Sequence, residues 1–319
     1  MTTAAIHLEQ DRPALTGHCY RRLGSVVDAE DAVQEAMLRA WKSIEGFREQ
    51  ASIKTWLYRI ATNVCLDVLS SAERRRLRPL DLETPPGVVN EDLVLTQRTR
   101  EHWLEPIPDA MAIPAAEDSD PEERAILKES IRLAFVAALQ YLPPRQRAVL
   151  LLTQVLNWSA AETAEALEMS VAAVNSALQR ARATLETRNP AVVPRALTEE
   201  QQRLVARYVD AFERYDMEAL TALLKQETTM SMPPYELWLR GPDSIARWMT
   251  TFGIGCQGSR LVPAGTVGGM PAFAQYKRGG EEPWSIVVLD VGTDGIENMT
   301  FFLDTETLFP RFGVPMRLS

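Results

Sequence analysis

The sequence predicts a multidomain chain, with an all-α domain over residues 10–78, a long linker over 79–122, a second all-α domain over 123–188 and an α+β cone over 197–319. Three observations predict it. Apolar residues recur every three or four positions through 12–78 and again from about 123 to 187, the period of helices buried along one stripe. Between these stretches, TPPGVVNED and LEPIPDAMAIPAAEDSDPEE are dominated by proline and acid, a composition from which a packed core is hard to build. After RNPAVVPRAL the texture changes to helices followed by β-rich runs, the order expected of an α+β domain.

Composition narrows the function classes. The 319 residues exceed one ordinary domain, and 46% hydrophobic with 24% charged residues is typical of soluble globular proteins. The start, MTTAAIHLEQDRPAL, has no apolar core of the signal-peptide kind, and no stretch approaches about 18 uninterrupted apolar residues. A cytoplasmic protein without membrane contact is expected. Cys19, Cys65 and Cys256 are far apart and lack CxxC spacing, so neither a disulfide framework nor a metal site is expected. Histidine occurs only at 7, 18 and 102, which weighs against histidine-dependent catalysis in the C-terminal half. The net charge of −9 is unevenly spread: residues 1–78 and 130–190 each carry +2, 79–129 carry −9 and 191–319 carry −4.

In the first domain, DAEDAVQEAMLRAW (28–41) places Ala29, Val33, Ala36, Met37, Ala40 and Trp41 on one apolar stripe, with Asp31, Gln34, Glu35 and Arg39 off it. Phe47-Arg48 follow a short turn. SIKTWLYRIATNVCLDVL (52–69) then predicts a second helix burying Trp56, Leu57, Ile60, Ala61, Val64 and Val68 and leaving Arg59, Thr62, Asn63 and Asp67 outside. It leads into Arg74, Arg75, Arg76 and Arg78, a cationic cluster suited to DNA phosphates. A short helix around Leu93–Trp103 is the only regular element expected in the linker.

The second all-α domain contains two serine-marked helix starts. Ser159 with Glu162 makes a capping box, and Ser170 is a second N-cap after the short turn Glu168-Met169. Val171, Val174, Leu178, Ala181 and Leu185 are spaced to bury; Ala172, Ala173, Asn175, Ser176, Gln179, Arg180 and Arg182 face outward. A helix-turn-helix with this outer face suits base-edge and phosphate contacts in a major groove.

DAEDAVQEAMLRAW followed by FREQASIKTWLYRIATNVCLD resembles region 2 of the extracytoplasmic-function sigma factors, and the capped helix pair resembles their region 4. The resemblance implies an alternative sigma factor that binds core RNA polymerase, recognises −35 and −10 promoter elements and melts DNA without bond-breaking chemistry. Its polar face, at Asp28, Asp31, Gln34, Glu35 and Arg39, would dock on the β′ clamp helices. Asn63 matches the position that captures a flipped base of the −10 element, with Arg59, Arg74, Arg75 and Arg76 beside it. Region 4 would read the −35 element through Ala172, Asn175, Ser176, Gln179, Arg180 and Arg182 and contact the β flap. Many members carry basic residues where Asn175 and Ala177 stand.

The last domain begins with two helices, Thr198–Tyr215 and Asp216–Leu224, and a third is expected near Asp243–Thr250 before the strands LWLRG, SRLVPAG, FAQYKR, WSIVVLDV and ENMTFFL. It resembles the SnoaL-like and nuclear-transport-factor-like superfamily, whose cones hold a pocket in some members. Here Met230, Met232, Trp238, Trp248, Tyr276 and Trp284 would line it, or serve as core. Acid–base work would fall to Asp210, Asp290 or Asp304, whose spacing identifies no pair. No cofactor is expected. The domain order implies modulation of activity in cis, with a small-molecule or anti-sigma regulator as further partner. Two alternatives stay open: a ligand-sensing helix-turn-helix regulator independent of polymerase, and a SnoaL-like enzyme fused to a DNA-binding module.

Overall fold

The computed structural model describes residues 9–44, 52–70, 76–82, 84–115, 120–187 and 197–318. The chain divides into two compact units, Met1–Arg76 with Leu104–Pro194 and Leu77–Trp103 with Arg195–Ser319. Among the described residues no helix is long and apolar enough to cross a membrane.

The first unit opens with α1 (Arg12–Leu23), α2 (Val26–Ser43) and α3 (Ile53–Ser70). Gly24 ends α1 with φ of +69°, and a Cβ there would lie 2.9 Å from Leu104 Cδ1. Both the left-handed backbone and the close approach require glycine. Ser25 then caps α2 by accepting from the Asp28 amide at 3.1 Å. Leu15, Cys19 and Leu23 of α1, Ala29, Val33, Ala36 and Ala40 of α2, and Leu57, Ala61 and Val64 of α3 are buried. Small residues on α2 let the helices approach closely.

The same unit resumes at Leu104. Tyr20 donates its hydroxyl to the Glu105 carbonyl, and the Glu105 carboxylate accepts from the Ser25 hydroxyl at 2.7 Å and the Val26 amide at 3.0 Å. A carboxylate thus sits on the N-terminus of α2, where the helix dipole favours negative charge. After one turn at Asp109–Ala112 come α4 (Pro121–Glu129), α5 (Leu133–Leu139), α6 (Pro144–Leu150) with a π-turn at Leu151–Val155, α7 (Ala160–Ala166) and α8 (Val171–Glu186). Ala148, Val149, Leu152, Ala164, Leu167, Val174 and Ala177 form the core of the last three helices, and Leu66 of α3 packs against it.

The second unit carries α9 (Glu199–Glu213), α10 (Met217–Thr221), α11 (Pro242–Thr250) and α12 (Thr305–Arg311) with a six-stranded sheet ordered β2-β1-β6-β5-β4-β3. The strands are β1 (Leu224–Ser231), β2 (Trp238–Arg240), β3 (Arg260–Val267), β4 (Met270–Lys277), β5 (Glu282–Val291) and β6 (Ile296–Phe302). Only β1 and β6 run parallel among these neighbours. Strand β1 is absent from the sequence reading, which ran a helix to Leu224. Its LKQETTMS alternates poorly because Gln226, between Lys225 and Glu227, is exposed as well; Lys225 pairs with Asp294 at 2.7 Å and Glu297 at 2.8 Å.

Residues 77–103 do not lie free between the helical domains. Val89 is part of the core of the second unit, and Leu93 and Leu95 pack against it. The expected helix around Leu93–Trp103 is reduced to a 3-10 turn at Arg100–His102. The segment is extended because its backbone groups pair with the cone: Gly87 donates to the Trp238 carbonyl at 2.7 Å, Arg98 to the Pro234 carbonyl at 3.0 Å, and Glu236 to the Thr96 carbonyl at 2.9 Å.

Candidate nucleic-acid interface

Asp28, Asp31 and Glu35 occupy successive turns of α2 and, with Arg39, Ala32, Val64, Asp67 and Val68, line one groove between α2 and α3. Arg39 bridges its walls, donating to Glu35 at 2.7 Å and Asp67 at 3.1 Å. Gln34 is exposed beside it. The structure therefore brings together Asp28, Asp31, Glu35 and Arg39, and adds Asp67, which sequence reasoning left unassigned. Its signal was an off-stripe carboxylate on α3. Trp41 departs from its expected place in the buried stripe: it is 65% exposed, as is Leu38 at 46%, so the last turns of α2 present apolar surface beside the acidic groove.

Of the residues assigned to the −10 element, Asn63 is exposed on α3 and Arg59 lies one turn before it. Arg59 stands 3.8 Å from Glu165 of α7, an open pair of modest strength. Arg74 and Arg75 lie outside the described residues, as do Phe47 and Arg48. Arg76 corrects the expectation of a phosphate-facing cluster. Its side chain is 4% exposed, donates to Asp28 at 2.7 Å and lies 3.8 Å from Glu105. The buried Glu105 and the half-buried Asp28 hold it because an unpaired guanidinium would be costly there.

The helix-turn-helix forms as the caps require. The Ser159 hydroxyl accepts from the Glu162 amide at 3.2 Å, while the Glu162 carboxylate accepts from the Ser159 amide at 2.8 Å. The Ser159 hydroxyl, which also donates to this carboxylate at 2.6 Å, and then the Ser159 amide hold the Glu162 carboxyl below its ordinary range. Ser170 caps α8 by accepting from Ala173, and the turn between places Glu168 at φ of +53°. Ala172, Asn175, Gln179, Arg180 and Arg182 are exposed and Ser176 is half-buried. Arg180 donates to Ser176 at 2.5 Å, and Arg182 to Gln154 at 2.8 Å. Two sequence assignments change. Val171, expected in the core, is 45% exposed on the first turn of α8, and Ala177, compared above with basic positions of the family, is buried against α6 and α7.

The six candidate pocket residues do not converge. Strand register puts Met230, Leu239, Met299, Leu289, Phe273 and Phe301 on one sheet face, with Met232 and Trp248 in the same core. Trp238, opposite Ser231, lies on the other face by the two-residue period. Tyr276 packs edge-on against Phe309 of α12 and donates to the Pro315 carbonyl at 2.6 Å. Trp284 lies half-buried under the Lys277 ammonium, 2.9 Å from the ring centre. The candidate acids are likewise dispersed: Asp210 pairs with Arg214, Asp290 accepts from Asn298 and Asp304 caps α12. Among the described residues no group of three His, Cys, Asp or Glu is placed to hold a metal.

A helical domain with an acidic groove, followed by a capped helix-turn-helix, defines a sigma-70-type transcription initiation factor. The family profiles for Sigma-70 region 2 and Sigma-70 region 4 match residues 8–75 and 132–185. The chain is 46% identical over 318 residues to the ECF RNA polymerase sigma factor SigG of Mycobacterium tuberculosis (strain ATCC 25618 / H37Rv), spanning 97% of this chain and 83% of that protein. It is 32% identical over 170 residues to SigW of Bacillus subtilis (strain 168), 52% of this chain and 78% of that one. The solved structure of the Mycobacterium tuberculosis extracytoplasmic function sigma factor SigJ covers 98% of both chains with a TM-score of 0.59 at 22% identity, a shared fold. The chain belongs to the extracytoplasmic-function sigma factors of RNA polymerase. It acts in transcription initiation and is not an enzyme.

Proposed function

We propose that the groove between α2 and α3 docks core RNA polymerase on its β′ clamp helices, that Asn63 and Arg59 engage the −10 element, and that the outer face of α8 reads the −35 element in the cytoplasm. The observation that carries this reading is the convergence of Asp28, Asp31, Glu35, Arg39 and Asp67 on one groove. A charged groove, with Leu38 and Trp41 exposed on the same helix, offers a partner both polar and apolar surface. Region 4 would touch the β flap while α8 lies in the major groove, where Asn175 and Gln179 suit adenine edges. A flipped base needs groups that replace its lost pairing and stacking, each worth a few kcal/mol, and Asn63 offers both a donor and an acceptor.

The C-terminal unit modulates this activity in cis. Support comes from the segment 77–103, which leaves region 2 and is built into that unit before the chain returns to region 4. Titrating purified core polymerase into the full-length chain tests the docking reading. Asp31→Arg lowers core affinity about tenfold or more, as a like-charge reversal within an interface does; equal affinity of variant and parent contradicts it.

A further inference from the structure

Cys19 of α1 and Cys65 of α3 are free, fully buried and hydrogen-bonded to each other. The contact follows from the packing of the two helices: His18, the residue before Cys19, lies 2.9 Å from Oγ1 of Thr62, which stands three positions before Cys65. Two thiols that touch across a helix pair are one two-electron step from a disulfide. The third cysteine, Cys256, belongs to the second unit.

The surroundings set Cys65 apart. Arg22 of α1 and Arg147 of α6 are buried, and among the described residues neither guanidinium is paired with a carboxylate. Arg147 donates to the Arg22 carbonyl, to Gln140 Oε1 at 2.9 Å and to the Leu142 carbonyl at 3.2 Å; Arg22 meets His18. Nε of both arginines and Nη2 of Arg22 have no partner. Two buried cations are costly unless an anion offsets them. Cys65 is placed to supply it. Burial alone raises its thiol, but the hydrogen bond from Cys19 and then the charges of Arg22 and Arg147 carry it below its ordinary value. The bond to Cys65, and then burial, push the Cys19 thiol well up. Cys65 is therefore the nucleophile of the pair and Cys19 the thiol that follows.

This cluster lies where region 4 packs on region 2. Arg22 and Cys65 belong to region 2 and Arg147 to region 4. Beside them Leu66 of α3 packs on the core of the last three helices, and Tyr58 lies edge-on to Trp158 with ring centres 6.5 Å apart.

We propose that Cys19 and Cys65 are a redox site whose oxidation to a disulfide by a hydroperoxide loosens region 4 from region 2, and so favours the separated arrangement that initiates. With hydrogen peroxide, the Cys65 thiolate attacks one oxygen: an S–O bond forms, the O–O bond breaks, and the departing hydroxide leaves as water with the proton that Cys65 had released. The Cys19 sulfur then attacks Cys65, an S–S bond forms, the S–O bond breaks, and the second hydroxide leaves as water with the proton of Cys19. Two thiols are oxidised and one peroxide is reduced to two waters. The disulfide is neutral, so Arg22 and Arg147 face each other with no anion and the packing that buries them weakens. Since both thiols are fully buried, peroxide reaches them in molecules whose α6 has lifted from α3, and oxidation traps that open form. Elements numbered −10 and −35 are about 25 steps apart, roughly 85 Å along B-DNA, so the open form is the one that spans a promoter. That last step rests on the sigma-factor reading.

The test treats the full-length chain with hydrogen peroxide and maps its peptides by mass. The expected product has lost about 2 Da and links the Cys19 and Cys65 peptides. Backbone amides of residues 144–156 then exchange several-fold faster, initiation with core polymerase at limiting factor rises several-fold, and a dithiol reductant reverses all three. In Cys19→Ser the reaction stops at the Cys65 sulfenic acid, which dimedone labels; in Cys65→Ser no label appears at Cys19. Failure to form the Cys19–Cys65 link overturns the proposal. So does a linked protein whose 144–156 amides exchange no faster, or one that initiates no better than the reduced protein. If the link forms and exchange rises while neither form initiates with core, the sigma-factor reading falls and the redox site stands.

Discussion

The Arg76 guanidinium holds the Asp28 carboxylate at 2.7 Å with Glu105 3.8 Å away, joining the end of region 2 to the first turn of the docking helix. Asp28 is thus both a wall of the groove and a partner of a buried cation, and its position depends on a residue that sequence alone assigns to DNA.

Arg76→Ala follows from this pairing. Removing one partner leaves Glu105 buried with less compensation, so unfolding free energy falls by about 3 kcal/mol. The salt dependence of promoter binding keeps its slope, because Arg76 neutralises no phosphate. Denaturant titration and binding at several ionic strengths read the two effects separately.

His18 gives the first unit a pH dependence of defined sign. It is buried, lies 2.9 Å from Thr62 Oγ1, and faces Arg22 from its own helix and Tyr58 from α3. Burial, then the charges of Arg22 and Arg21, hold its pKa well below the ordinary value of 6.5. The folded chain keeps it neutral where the unfolded chain binds a proton, so stability present above pH 6.5 is lost as pH falls, by about 1.4 kcal/mol per unit. Denaturant midpoints at pH 7.5 and 5.5 show the loss, and His18→Gln reduces the difference.

Asn175→Ala tests base readout by α8. Its exposed amide suits an adenine edge, so the variant loses about 1–3 kcal/mol of discrimination at one −35 position and leaves the others unchanged. Competition binding over single-base −35 variants measures it. Uniform weakening across all sequences would place Asn175 on the backbone instead.

Val89→Ala tests whether segment 77–103 belongs to the cone. Val89 is a core residue of the second unit, and truncation there costs about 2 kcal/mol of that unit's stability. An exposed linker valine would cost nothing measurable.

The local features of the helical domains were legible because they rest on short-range rules. The Ser159 and Glu162 box, the Ser170 cap and the outward Asn175 and Gln179 all follow from spacing within one or two turns. The groove was legible in its α2 wall and not in Asp67, which reaches it only through the packing of α3 on α2. Trp41 and Val171 lie at helix ends, where periodicity continues but the neighbouring helix does not cover them. Arg76 read as phosphate-binding because nothing local reveals a carboxylate 29 positions away at Glu105. Proline and acid around Val89, Leu93 and Leu95 read as linker for the same reason: these side chains pack on a core built from residues after 200, and the nearby Gly87, Thr96 and Arg98 bond to Trp238, Glu236 and Pro234, far along the chain. The pocket expectation failed on register, since the strands place Met230 and Tyr276 on opposite faces.

Run-off transcription with purified core polymerase and the full-length chain, on the promoter of its own gene, tests the central claim most directly. The account predicts core-dependent initiation from one start site that Asn63→Ala weakens and Asp31→Arg abolishes. DNA binding without core, with no transcript when core is added, would contradict it.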